Sequence, residues 1–114
     1  MGAFLVFFDG NRLDDEAAHA AAMQSEFVAG QSAYDVAVLR GEALLQKMAA
    51  FDASTHLPEL AAEHHACVEV TVPNVDDAMG RQSELFDLET RFERLSGVAV
   101  VAAIQDNKTF YGLL

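Results

Sequence analysis

Cys67-Val68-Glu69-Val70-Thr71-Val72 alternates without a break, Val68, Val70 and Val72 pointing one way and Glu69 and Thr71 the other. A period of two is the pattern of a strand with one face against a core. Pro73, which has no amide proton to give to a ladder, closes it. A helix follows. Asn74 has the chemistry of an N-cap, and Asp77 stands three residues on in a capping-box-like arrangement. Val75, Ala78, Leu85, Leu88, Phe92 and Leu95 share one face, with Arg81, Glu84, Asp87, Arg91 and Arg94 largely elsewhere. Gly97 suits the left-handed position that ends a helix, after about 20 residues or about 30 Å of rise. Val98 to Ile104 is then a second, wholly apolar strand. Strand, helix and strand make a βαβ unit, whose ordinary form is a right-handed parallel crossover.

Upstream, Ala3-Phe4-Leu5-Val6-Phe7-Phe8 is a continuous apolar run ended by Asp9-Gly10-Asn11, as expected of a strand covered on both faces. A first helix is predicted from Leu13 to Gly30, with Asp14, Asp15 and Glu16 in the first turn, where the helix dipole favours carboxylates. Ser32 can cap a second helix to Phe51, along which Ala37, Gly41, Leu44, Met48 and Phe51 keep helical phase. Tyr34 to Leu39 also fits a strand, with Gly41 as the break before a shorter helix; the unbroken phase favours the helix. Pro58 opens a short helical piece over Glu59 to His65, and Asp106-Asn107 turns the chain into a last strand, Thr109 to Leu113. The expected fold is α/β in the α+β sense: a two-layer mixed sheet of about four strands with helices mainly on one face, in the order β-α-α-β-α-β-β. That order differs from the β-α-β-β-α-β of ferredoxin-like domains. Residues 1–114 read as a single domain.

Composition narrows the function. The chain is 52% hydrophobic and 22% charged, which places it among globular rather than disordered sequences. Seven basic residues face eighteen acidic ones, for a net charge of −11. Direct nucleic-acid binding draws on Lys and Arg meeting phosphates, and docking on an anionic membrane draws on the same residues, so neither is expected. A lone cysteine, Cys67, allows no intramolecular disulfide and reads as a buried small hydrophobe. The N-terminal apolar run lacks a basic flank and is cut by Asp9, too short for a signal or a membrane span. A reducing cytoplasm is the expected compartment.

Three groups of residues carry possible chemistry. His56, Glu63, His64 and His65, near Asp52, offer imidazole and carboxylate to a ligand or metal, but adjacent histidines diverge on a helix and the i, i+4 pair of metal sites is missing. Asp15, Glu16 and His19 place a carboxylate one turn from an imidazole. Asp9-Gly10-Asn11-Arg12 lies at the carboxyl end of the first strand, where open α/β sheets bind ligands, without the glycines of a phosphate loop. No G-x-S-x-G or cysteine pair is present. The expectation leans away from an enzyme and includes no cofactor. It is a small acidic interaction protein of inhibitor, immunity or regulatory type that meets a basic protein surface through Asp14, Asp15, Glu16, Asp76, Asp77 and Glu84. The alternative is a small-molecule- or metal-binding domain, possibly enzymatic, with a pocket between sheet and helices lined by Phe7, Phe86, Phe110 or Tyr111. The apolar terminal strand suggests a homodimer through an open edge.

Overall fold

Phe4, Val6 and Phe8 point to one side of the first strand, Leu5 and Phe7 to the other, and all five are fully buried. A strand with both faces covered must lie inside the sheet, and it does. The computed structural model describes residues 2–30, 34–49, 63–72, 78–105 and 110–113. In chain order its elements are β1 (Gly2–Asp9), α1 (Asp15–Met23), α2 (Glu26–Ala29), β2 (Asp35–Leu39), α3 (Gly41–Ala49), β3 (His65–Val72), α4 (Ala78–Ser96), β4 (Val100–Gln105) and β5 (Phe110–Leu113). The strands run in the order β2-β3-β1-β4-β5, and every neighbouring pair is antiparallel.

The α+β class and the expected succession of elements are present, with one strand and one short helix added and with α3 on the face opposite the other helices. Residues 35–39 form β2 rather than the start of a helix, and α3 is the shorter helix after Gly41. Gly41 has φ of 57°, a left-handed conformation that a helix interior excludes. Val36 and Val38 fit a pleat and pair with Val70 and Val68, filling the open ladder of β3. The sheet is not mixed: β3 and β4 do run parallel, but β1 is inserted between them, so the crossover through α4 is split. With β2 counted, β1-α1-β2-β3-α4-β4 has the element order and strand order of a ferredoxin-like plait, to which α2, α3 and the edge strand β5 are additions.

The first helix stops early. The Asp14 carboxylate accepts from the Ala17 amide at 2.7 Å to start α1, and Ser25 Oγ accepts from the Val28 amide at 3.2 Å to start α2. The α4 helix ends as expected, with Gly97 at φ of 74°. Its stripe ends sooner than the pattern suggests: Leu85, Leu88 and Phe92 are fully buried, whereas Leu95 is 44% exposed. The predicted cap at Asn74 and Asp77, the helical piece over 59–62 and the turn at 106–107 lie outside the described residues. Glu63 and His64 form a turn and His65 already belongs to β3.

Two cores result. Phe4, Val6 and Phe8 join Ala18, Ala21 and Ala22 of α1, Phe27 of α2, and Leu85, Leu88 and Phe92 of α4 on one face. Alanines let α1 lie close to the sheet, and the aromatic contacts Phe4–Phe27 and Phe8–Phe92, at 5.2 and 5.1 Å between ring centroids, fill the space beside it. Leu5, Phe7, Cys67, Ala102 and Ile104 meet Leu44 of α3 on the other face, where Lys47 of α3 also pairs with Glu69 of β3 at 2.5 Å. In β4 a bulge between the partners of Phe7 and Phe8 lets Ala102 face one core and Val100 the other, with Val101 as the additional residue. Among the described residues no helix is long and apolar enough to cross a membrane.

Truncating Phe92 removes a side chain shared by α4 and β1, so Phe92→Ala should lower unfolding free energy by about 3–5 kcal/mol. Leu95→Ala, three residues on but exposed, should change it by about 0.5 kcal/mol or less. Urea unfolding followed by circular dichroism measures both; similar losses at the two positions would contradict this division of the α4 surface.

Candidate functional site

Antiparallel pairing of β1 with β3 places Asp9 opposite His65, so the loop after β1 and the turn before β3 meet at one end of the sheet. The loop is tightly specified. The Asn11 amide donates to Asp9 Oδ1 at 3.0 Å and the Arg12 amide to the Asp9 carbonyl at 3.3 Å, a turn typical of Asp. The Gly10 amide donates to the His64 carbonyl at 2.9 Å. Asn11 Nδ2 lies 3.1 Å from His64 Nδ1. On the other side of the ring, His64 Nε2 stands 4.0 Å from Glu63 Oε1.

The third strand to reach this end is β2, which runs parallel to β1 with β3 between them. Arg40 follows it and turns back over the loop. Its Nη1 donates to the Gly10 carbonyl at 2.7 Å, its Nη2 to the Leu13 carbonyl at 2.5 Å, and its Nε to the Asp15 carboxylate. The guanidinium fork thereby ties the β1–α1 connection to the end of β2, a geometry that lysine could not reproduce. Gly10 is required by the close approach: a Cβ there would lie 2.8 Å from Arg40 Nη1, 3.0 Å from the His65 carbonyl carbon and 3.1 Å from the Ala66 nitrogen.

Over this loop lies an open cleft of about 720 Å³ lined by Gly10 to Glu16 and by Arg40. Its neighbourhood is acidic because of the chain's topology. Asp9 ends β1, Asp14, Asp15 and Glu16 begin α1, Glu42 follows Arg40 in the first turn of α3, and Glu63 precedes β3. These six carboxylates face two guanidiniums, and that of Arg40 is already held by Asp15 and two carbonyls. Elsewhere Lys47 is paired with Glu69, and Arg91 with Glu26 and Asp87. Among the described residues Glu16 and Glu42 have no ion pair and are exposed.

The structure thus brings together Asp9 to Arg12, Asp14 to Glu16, and Glu63 to His65, three groups that are separate in the sequence. His19 is half-buried on α1, outside the cleft lining. Glu84 is half-buried on α4, outside the cleft lining. Asp76, Asp77, His56 and Asp52 lie outside the described residues. Among the described residues no three of His, Cys, Asp or Glu converge as metal ligands. Phe7 is buried in the core on the α3 face and Phe86 is exposed on α4, while Phe110 and Tyr111 belong to β5. Arg40 is the residue that sequence reasoning missed. Its signal is faint: a lone cation directly after an apolar strand and before a glycine.

Comparison of the chain with protein-family models, curated proteins and solved structures gives no match.

The loop should respond as a unit to change at Arg40 or Gly10. Arg40→Ala leaves two partly buried carbonyls without their donor, a loss of about 1–3 kcal/mol; the pair with Asp15, 64% exposed, adds little to it. Gly10→Ala should lose about 1–3 kcal/mol through crowding. Because one of the crowded atoms belongs to Arg40, the Gly10→Ala loss should shrink in the Arg40→Ala background. A double-mutant cycle by denaturant unfolding measures this coupling, and strict additivity would contradict it.

Proposed function

We propose that this protein is a non-enzymatic acidic binding domain of inhibitor, immunity or regulatory type. The end of its sheet where β1 and β2 finish and β3 begins receives a basic surface of another protein. The observation that carries this reading is the topological gathering of Asp9, Asp14, Asp15, Glu16, Glu42 and Glu63 at one end of the sheet, three of them in the cleft lining, with the Arg40 charge internally engaged. The net charge of −11 adds a long-range field that speeds encounter with a cationic partner and repels polyanions. A rigid loop suits binding, since the Asp9 turn, the Asn11–His64 contact and the Arg40 fork hold the carboxylate-bearing backbone before a partner arrives. A reducing compartment belongs to the same reading: Cys67 is the sole cysteine and lies buried in β3.

A second reading, a small polar ligand at the same cleft, is favoured by the exposed His64 imidazole held by Asn11 beside Glu63. Self-association is compatible with both. The β5 strand is paired on one side, by β4, and forms an edge of the sheet, so a second copy could extend it in a homodimer.

Titration of the 15N-labelled protein with a lysine-rich peptide should move amide resonances of 9–16, 40–42 and 63–65. Binding should weaken steeply from about 0.1 M to about 1 M salt as the Debye length falls from about 10 Å to about 3 Å. Glu16→Lys combined with Glu42→Lys should abolish the shifts without altering the fold, since both side chains are exposed. Shifts scattered over the surface, or unaffected by salt, would reject the acidic-end reading; localised shifts produced by a small polar metabolite instead would favour the second one. Light scattering over a range of concentrations tests the homodimer separately, and a monomeric mass up to about 1 mM, weaker than any specific dimer of consequence, would remove it.

A further inference from the structure

Glu89 lies midway along α4, is 7% exposed, and has an Oε2 that meets no hydrogen-bond partner. Carboxylates are almost never buried in this way unless paired. Leu85, one turn before it, and Leu88 and Phe92 beside it are fully buried in the helix-side core. One turn after it stands Glu93, half-buried, whose Oε1 accepts from the Val100 amide at 2.8 Å. That bond joins the last turns of α4 to the first residue of β4, across the corner made by Ser96, Gly97 and Val98.

The elements packed against α4 are α1, α2, β4 and, through Phe8, β1. Their titratable groups are Asp15, Glu16 and His19 on α1, Glu26 on α2 and Asp9 at the end of β1; β4 carries none. Asp15 is taken by Arg40 and Glu26 by Arg91, and on α4 itself Arg91 is further paired with Asp87. None of these cations reaches Glu89. The charge that acts on it is the like charge of Glu93.

We propose that Glu89 is a proton-operated latch on the α4–β4 corner: it is carried as the neutral acid while the corner is closed, and its ionisation opens the Glu93–Val100 contact. On ionisation the proton passes to solvent, and two carboxylates then stand one helical turn apart in a site with little water. Glu93 is the half-exposed member, so relief comes from its turning outward and releasing the Val100 amide. Burial first, and Glu93 second, hold the Glu89 carboxyl above the ordinary glutamate range. Turning outward relieves the part of that elevation due to Glu93, so the closed corner binds the proton more tightly than the open one. Closure is therefore fully favoured below the ordinary glutamate value and weakens as pH rises through the folded one. This latch is independent of what binds at the acidic end.

The test follows the side-chain carboxyl carbons of the intact protein by NMR across pH, together with hydrogen exchange at Val100 corrected for its intrinsic rate. Glu89 should titrate above the ordinary value of about 4.3. Val100 should lose protection over the same interval, by about tenfold for each unit by which Glu93→Gln lowers the Glu89 midpoint. Glu89→Gln, neutral throughout, should keep Val100 protected across that interval. Glu93→Gln, which retains an acceptor oxygen but not the charge, should lower the Glu89 midpoint. A Glu89 midpoint in the ordinary range, or the same loss of protection at Val100 in Glu89→Gln, would overturn the proposal. If Glu89→Gln does not fold, the wild-type carbon titration alone decides, since an ordinary midpoint is incompatible with a neutral latch.

Discussion

Antiparallel pairing of β1 with β3 along one edge and with β4 along the other governs the rest of this structure. Six consecutive apolar residues, Ala3 to Phe8, present side chains to both faces and amides to both edges, and all of them are buried. With β1 inserted, β3 and β4 cannot touch, so α4 must span a strand's width to join them, and the helix-side core forms beneath it. The outer edge of β3 is then open, and the nearest extended piece of chain able to close it is 35–39. One central pairing therefore explains the split crossover, the position of β2 and the exile of α3 to the opposite face.

The same pairing creates the acidic end. In a sheet of this topology β1 and β2 finish on the side where β3 begins, so the residues that leave strands, enter helices or precede strands there are neighbours in space. Five of the six acidic residues have a local reason to be present. Asp9 makes the turn, Asp14 caps α1, and Asp15, Glu16 and Glu42 sit in first turns favoured by helix dipoles. Local rules satisfied separately thus sum to a field that none of them requires. Arg40 offsets part of it, and its position fixes the loop more than it neutralises the surface: two of its bonds go to carbonyls and the third to an exposed carboxylate.

The strongly patterned elements were legible because their signals came from local chemistry. Alternation identified β3, the continuous apolar run identified β1, and glycine ended α4 at its left-handed position. Residues 35–39 were not legible by the same means. Ala37, Leu44 and Met48 keep helical phase by coincidence across Gly41, while Val36 and Val38 keep strand phase, and a short run supports either period. The need of β3 for a partner decides the matter, and that need is invisible locally. Leu95 shows the converse, keeping the helical phase of the buried stripe after the core has ended. For the site, each contributing segment could be named from sequence, but their convergence could not: Asn11 and His64 are 53 residues apart and meet through strand register alone. Arg40 escaped because its partners are mostly carbonyls, which leave no trace in a sequence.

Glu89 belongs to neither account, and that sets it apart among the carboxylates. A surface with a large excess of negative charge makes the potential more negative at an acid buried away from water, which favours its protonation. The exposed helix starts have hydration and backbone amides to hold their carboxylates. In the middle of α4 neither is at hand, because internal amides are already bonded along the helix and the surrounding side chains are Leu85, Leu88 and Phe92. An acid placed there responds to the charge of the whole chain as well as to its own surroundings. Since Glu93 one turn away holds the first amide of β4, that response is transmitted to the strand that flanks β1 and bears the β5 edge. Acidity in this fold thus acts in two places, as a field at the end of the sheet and as a proton equilibrium inside its helical layer.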